Sequence, residues 1–346
     1  MTEKESTINK FFWSDFSKIY KKPSLIDNHL IKNSDRIEAT IINNFTELDL
    51  SQNYSIYANG GFGRKEMFPS SDIDISIIEN KNSTKDKENL EIFITKLWDL
   101  GFQVGHSVRS IKDIKKISKN DLKEFTSYLT RRALISTPEI DIKVSKTLDG
   151  IWSKKNFFNA KFLEQDERYS SYHSTAFNLE PDLKESPGCM RDFQTSLWIL
   201  QQCFNLNNYT QIKKSKEFSL EIESAINSYN FIKAMRFASN ILSANNRLSF
   251  ESQLEISKSA KLNKNSGKES VEKMMKDFYG HASNLSNFNN LVFETFKEKN
   301  SFAIKKRFGD FYLKANKIGI RNSDISENKH LIFGIFIAIG SNKKVN

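Results

Sequence analysis

This chain is poor in the features that would place it outside the cell or in a membrane. Two cysteines, Cys189 and Cys203, in 346 residues give no disulfide framework and fit a reducing compartment. Met1 opens a polar, charged segment with no apolar leader behind it. The longest apolar run, Leu331 to Ile339, is far too short to span a bilayer and reads as a buried helix or strand. The expectation is a cytoplasmic protein without a membrane partner. A repeat of fixed period is also missing, which excludes solenoids and propellers. The formal charge of +10 is not gathered into a tail or stripe. It is read as a general excess of lysine together with an anionic ligand, and a nucleic-acid partner is not expected.

What is present is enough for well-packed cores: 38% hydrophobic residues and 12% aromatics, with 28 phenylalanines. A chain of this length exceeds what one core usually serves, so two domains are expected. Their boundary is placed near Thr137-Pro138, giving 1–145 and 146–346. Leu30, Ile37, Ile41, Phe45 and Leu48 fall at helical spacing, as do Phe93, Leu97 and Leu100 before Gly101. Phe102 to Val108 reads as a strand, and FTSYLTRRALI, Phe125 to Ile135, as a helix. Glu221 to Asn245 and Val271 to Phe296 carry long helical apolar stripes, with an exposed linker at Lys261 to Lys268 between them.

The segment that organises the rest is SIYANGGFGRKEMFPSSDIDISII, Ser55 to Ile78. A short apolar strand breaks at Gly60-Gly61, and acids then alternate with aliphatics from Asp72. Period two puts Asp72 and Asp74 on one face of a strand while Ile73 and Ile75 enter the core. Two adjacent carboxylates repel unless a cation lies between them. A hard divalent ion with oxygen ligands, Mg²⁺ or alternatively Mn²⁺, answers that need. Gly60 and Gly61 let the backbone approach a ligand closely. Phe62 to Met67 is expected to start a helix whose N–H groups face a phosphate. Asp-x-Asp alone is often solvated charge at a strand end; the glycine pair at a set distance before it makes the pattern specific.

That string is similar to the nucleotidyltransferase superfamily with the DNA polymerase β-like fold, and specifically to the bacterial PII-protein uridylyltransferases. Gly60, Gly61, Gly63, Arg64, Glu66, Phe68, Pro69, Ser71, Asp72 and Asp74 all fall on the family pattern. A second stretch, NLEPDLKESPGCMRD, resembles the same family at Asn178, Leu179, Pro181, Asp182, Lys184, Pro187, Gly188, Arg191 and Asp192. Cys189 and Met190 depart from it. VGHSVR at Val104 to Arg109 also resembles the family and supplies no third carboxylate. Lys184 and Arg191 fit two readings equally, phosphate contact or internal bracing of the loop. His106 and Arg132 read by default as a structural histidine and a surface arginine.

The resemblance implies an α+β nucleotidyltransferase domain followed by an all-α helical domain. It implies UMP transfer from UTP to a tyrosine of a PII signalling protein, with pyrophosphate released. Asp72 and Asp74 would be the catalytic, metal-holding acids, and Gly60, Gly61, Arg64, Ser71, Lys184 and Arg191 would line the nucleotide site. Full-length members continue into a histidine-aspartate hydrolase domain and glutamine-sensing domains. None of the five histidines here precedes an aspartate, so uridylyl removal and sensing are not expected of this chain. The competing readings are an idle remnant that binds PII or nucleotide, and a nucleotidyltransferase acting on RNA or a small molecule. Intact paired acids weigh against the first, and the lack of a basic-aromatic stripe against the second.

Overall fold

A computed structural model describes residues 3–80, 84–172, 178–262 and 267–300, together with three short strands beyond them. The expected apolar element at Leu331 to Ile339 lies outside the described residues, as does the middle of the linker after Lys261.

Two helices open the chain, α1 (Glu3–Lys21) and α2 (Ile26–Glu47), and strand β1 (Tyr54–Ala58) follows. A four-residue turn of helix, α3 (Gly60–Gly63), leads to β2 (Ile73–Glu79), then α4 (Thr84–Asp99) and β3 (Val104–Arg109). Next come α5 (Ile111–Asn120), α6 (Leu122–Leu129), β4 (Arg132–Ile135) and α7 (Pro138–Leu148). The sheet order is β3-β2-β1-β4, with β2 parallel to β3 and the other pairs antiparallel. Ile37, Ile41 and Phe45 of α2 and Phe93 and Leu97 of α4 pack with Ile56, Ile73, Ile75 and Ile77 of the central strands. Burying these side chains, at roughly 1.5–3 kcal/mol each, pins the register of β2. A slip of one residue would drive Asp74 into this core.

Two expected elements differ. The helix expected at Phe62 to Met67 is instead the single turn α3. It stops because Lys65 adopts φ +58° and the Glu66 N–H is taken by the Gly61 carbonyl at 2.8 Å. The helix expected over Phe125 to Ile135 ends at Leu129; Arg132 and Ala133 pair with Ala58 and Tyr57, filling the free edge of β1.

The remaining helices are α8 (Lys154–Ser171), α9 (Met190–Phe204), α10 (Tyr209–Lys213), α11 (Ile222–Ser243), α12 (Phe250–Ser259) and α13 (Gly267–Asn300). Residues 1–289 form one compact unit and 290–346 a second. The position 145/146 falls inside the first unit. Within that unit the N-terminal helices pack on later ones: Phe12 of α1 stacks on Phe237 of α11 at 4.5 Å, and Tyr20 donates to Asp277 of α13 at 2.8 Å. In the second unit β5 (Lys306–Phe308), β6 (Phe311–Lys314) and β7 (Lys317–Ile320) form an antiparallel sheet.

Candidate active site

The glycine turn is held from several sides. Asn59, in an extended conformation, donates its N–H to the Asp74 carbonyl at 2.9 Å and fixes the start of the turn beside the acidic strand. Gly60 takes φ +52°, a left-handed conformation that side chains with a Cβ rarely adopt. At Gly63 a Cβ would stand 2.2 Å from the Thr130 carbonyl oxygen, so the end of α6 closes over the turn only because no side chain is there. Arg132 ties the arrangement together. Its guanidinium pairs with Glu38 at 2.8 Å and reaches the Gly63 and Phe62 carbonyls at 3.3 and 3.4 Å. This arginine is a brace for the glycine turn and not a loose surface charge. With only one helical turn behind it, the glycine segment offers close backbone approach and not a helix dipole.

Asp72 and Asp74 are exposed at the N-terminal end of the interior strand β2, with Ile73 between them buried in the core. Cβ atoms added at Gly60 and Gly105 would each come within 3.0 Å of an Asp74 carboxylate oxygen. The two glycines therefore keep both faces of that carboxylate clear. Partial desolvation and the neighbouring Asp72 push the Asp74 carboxyl above its ordinary value, while Lys184 and Arg64 pull it back. A pair of acids that repel in a space kept open by glycines fits a divalent cation. Among the described residues no group of three or more His, Cys, Asp or Glu side chains gathers to complete a protein-only shell. A metal here would take these two carboxylates and fill its remaining positions with water and phosphate oxygens, the habit of Mg²⁺.

The third component is the loop that enters α9. Asp182 accepts the N–H groups of Lys184 and Glu185 at 2.8 and 2.7 Å, a tight side-chain turn. Gly188 has φ +77°, and a Cβ there would meet the Ala282 carbonyl oxygen at 2.4 Å. Cys189 has φ −101° and ψ −166°, so this departure from the family pattern introduces no strain. Asp192 is fully buried and braces the loop against α8, accepting from Arg168 and from the Tyr169 hydroxyl at 2.6 Å each. Arg191 pairs with Glu185 at 3.0 Å and donates to Gln194 at 3.1 Å. Arg109, at the end of β3, is taken by Glu124 at 2.6 and 3.1 Å. His106 packs edge-on to Trp98 and lines a separate hollow away from the carboxylates.

One cleft of about 710 Å³ is lined by the glycine turn, the acidic pair and the Lys184 loop. Gly60, Gly61, Arg64, Ser71, Asp72, Asp74, Lys184 and Arg191, the eight residues expected at a nucleotide site, all line it. Sequence reasoning missed Lys161, Trp198 and Arg236 in the same wall, and Gly105 beside Asp74. Lys161 is 1% exposed, pairs with Glu164 at 2.8 Å and sits 4.4 Å over the Trp198 ring. The available signal was a cation inside an apolar helical stripe, as in KAMRFA around Arg236.

A glycine turn leading into a strand with paired, outward carboxylates on a small mixed sheet defines a nucleotidyltransferase. Comparison with known proteins agrees. Residues 39–132 match the family model described as a nucleotidyltransferase domain, and residues 156–293 match the one described as GlnD PII-uridylyltransferase. Bifunctional uridylyltransferase/uridylyl-removing enzymes are similar along most of the chain. The protein from Haemophilus influenzae (strain PittEE) is 34% identical over 336 residues, covering 93% of this chain and 38% of the relative. The one from Aliivibrio fischeri (strain MJ11) is 34% identical over 261 residues, 73% of this chain and 30% of the relative. The chain thus spans about two-fifths of the length of the Haemophilus influenzae relatives. Along most of its length the chain is similar to the PII-uridylyltransferases, and residues 39–132 carry a nucleotidyltransferase domain.

Proposed function

We propose that the chain transfers UMP from UTP to a tyrosine of a PII signalling protein, releasing pyrophosphate. The observation that carries this reading is the convergence of the glycine turn, the Asp72–Asp74 pair and the Lys184 loop on one cleft. In the reaction the tyrosine oxygen attacks the α-phosphorus and forms the new P–O bond. The bond between the α-phosphorus and the bridging oxygen breaks, pyrophosphate departs, and the phenolic proton passes to water.

Each part of the chain has a task in that step. Gly60 and Gly61 let the backbone lie against the triphosphate, and Ser71 lines the same wall. Lys184, 38% exposed at its side chain and held no closer than 3.9 Å to Glu185, is available to a phosphate. Arg64 and Arg191 lend positive field while remaining tied to Glu66 and Glu185. Asp72 and Asp74 would hold Mg²⁺, or Mn²⁺ on the same oxygens, which neutralises triphosphate charge and lowers the pKa of the attacking phenol. Positioning and electrostatics of this kind account for most of the catalysis in phosphoryl-type transfers. Intact carboxylates in an open cleft support transfer over idle binding. No helix among the described residues is long and apolar enough to cross a membrane, consistent with a partner met in solution.

The test is release of pyrophosphate from UTP in the presence of Mg²⁺ and the cognate PII protein. Release that needs all three is expected. Equal release without the PII protein would point to water or another acceptor.

A further inference from the structure

Most of the basic residues lining the cleft have a carboxylate within 4.0 Å. Arg64 has Glu66 at 2.7 Å, Lys161 has Glu164 at 2.8 Å, and Arg168 has Asp192 at 2.6 Å. Arg191 and Lys184 share Glu185, at 3.0 and 3.9 Å. Lys123 is exposed to water. Arg236 differs. It is 8% exposed, on the buried helix α11, and among the described residues no carboxylate lies within 4.0 Å of it.

Its partners are neutral ones. Nε donates to Asn246 Oδ1 at 2.8 Å, one terminal nitrogen lies 3.6 Å from the Met190 sulfur, and the guanidinium covers the Phe68 ring at 4.0 Å. A buried guanidinium with no carboxylate in contact is costly, and unlike a lysine it does not escape by deprotonating near neutral pH. Burial lowers its pKa to about 10 even though Tyr229 and, from beyond contact distance, Glu66 and Asp182 oppose the shift. Its field also reaches the phosphate loop: burial, then Arg191, then Arg236 push the Lys184 ammonium below its ordinary range. Packing alone would be served by an apolar side chain of similar length. A planar fork of N–H donors, oriented by Asn246 and stacked on Phe68, is shaped for an oxyanion.

We infer that Arg236 is a polyphosphate-binding residue of the cleft, its counter-charge supplied by phosphate oxygens of the bound nucleotide or of departing pyrophosphate. This rests on the transfer reading above and adds a residue to it that neither motif contains. Arg236 would act together with Lys184, so that the triphosphate lies between the Asp72–Asp74 pair and the α11 wall.

The experiment compares wild type, Arg236→Gln and Arg236→Lys by thermal midpoint with and without inorganic pyrophosphate, and by KM and kcat for UTP. Pyrophosphate is expected to raise the wild-type midpoint, to raise it less in Arg236→Lys, and to leave Arg236→Gln unmoved. KM for UTP should rise about ten-fold or more in Arg236→Gln, the scale of a lost charge-assisted hydrogen bond. A wild-type KM and pyrophosphate response in Arg236→Gln would overturn the inference. Should that variant fail to fold, the same result in Arg236→Lys would overturn it. If wild type shows the Arg236-dependent pyrophosphate response but transfers nothing to the PII protein, the transfer reading fails and the anion site stands.

Discussion

The Tyr229 hydroxyl donates to Glu66 Oε2 at 2.9 Å, joining residues 163 positions apart. Glu66 belongs to the glycine segment and Tyr229 to α11. Around them the contacts continue. Arg64 reaches the same carboxylate oxygen at 2.7 Å, Gln194 donates to Tyr229 at 3.0 Å, and Arg191 donates to Gln194 at 3.1 Å. A buried polar chain thus connects the glycine turn to the loop carrying Lys184. Burial by itself would raise the Glu66 carboxyl, but Arg64 and Lys233 reverse the shift and hold it below its ordinary value. The carboxylate is ionised, and its donors keep it so.

Tyr229→Phe should therefore destabilise the fold by about 1–3 kcal/mol, the cost of leaving a buried acceptor short of a donor. Transfer should fall with it, because the glycine turn loses its tie to the Lys184 loop. Chemical denaturation with a parallel rate measurement checks both. An unchanged denaturation midpoint would show that the contact carries no load.

Asp72→Asn and Asp74→Asn should each lower transfer by roughly 10²-fold or more while the fold is retained. Asp74 also predicts a pH effect whose sign is unusual for an acid. Its folded pKa is raised, so the folded chain holds the proton more tightly than the unfolded one. Stability is lost as pH rises from about the ordinary value of 3.8 through the folded pKa. In metal-free buffer at neutral pH, Asp74→Asn should melt no lower than wild type, and any advantage should vanish at pH values below that window. A variant that melts well below wild type at neutral pH would contradict the electrostatic account of this carboxylate.

Gly105→Ala places a Cβ 3.0 Å from one Asp74 oxygen, at a strand position where alanine is otherwise acceptable. The expected result is at least about a ten-fold loss of rate with little change in melting, since even a small shift of a reacting group is expensive. Wild-type activity would mean that this oxygen is not used.

Lys184→Ala and Arg191→Ala should separate in their effects. Lys184 is weakly partnered, so its loss should raise KM for UTP and leave stability nearly unchanged. Arg191 holds Glu185 and Gln194, so its loss should lower stability by about 1–2 kcal/mol, with KM following indirectly. The opposite pattern would exchange their roles.

What could be read from the sequence was local. Gly60-Gly61 and the alternation from Asp72 to Ile78 specify a turn and a strand within a few residues, and the structure has both. Pro181, Pro187 and Gly188 fell on the family pattern, and they lie in the loop that enters α9. Where neighbours decide, the reading stopped. The helix expected from Phe62 is cut to one turn by the Gly61 carbonyl. Arg132 to Ile135 becomes a strand because β1 offers a free edge. Arg236 looks like an ordinary helical cation until its neighbours are seen: among the described residues no carboxylate lies within 4.0 Å of it. The contact between Glu66 and Tyr229 has no signal in the sequence at all, because it exists only once α11 has packed against the glycine segment.

The most direct measurement is the intact mass of the cognate PII protein after incubation with this chain, UTP and Mg²⁺, followed by mapping of the modified residue. A gain of one uridylyl group on a tyrosine, absent when Asp74→Asn replaces the wild-type chain, is the predicted result. An unmodified PII protein, or the same modification with the Asp74→Asn chain, would contradict the assignment of this cleft.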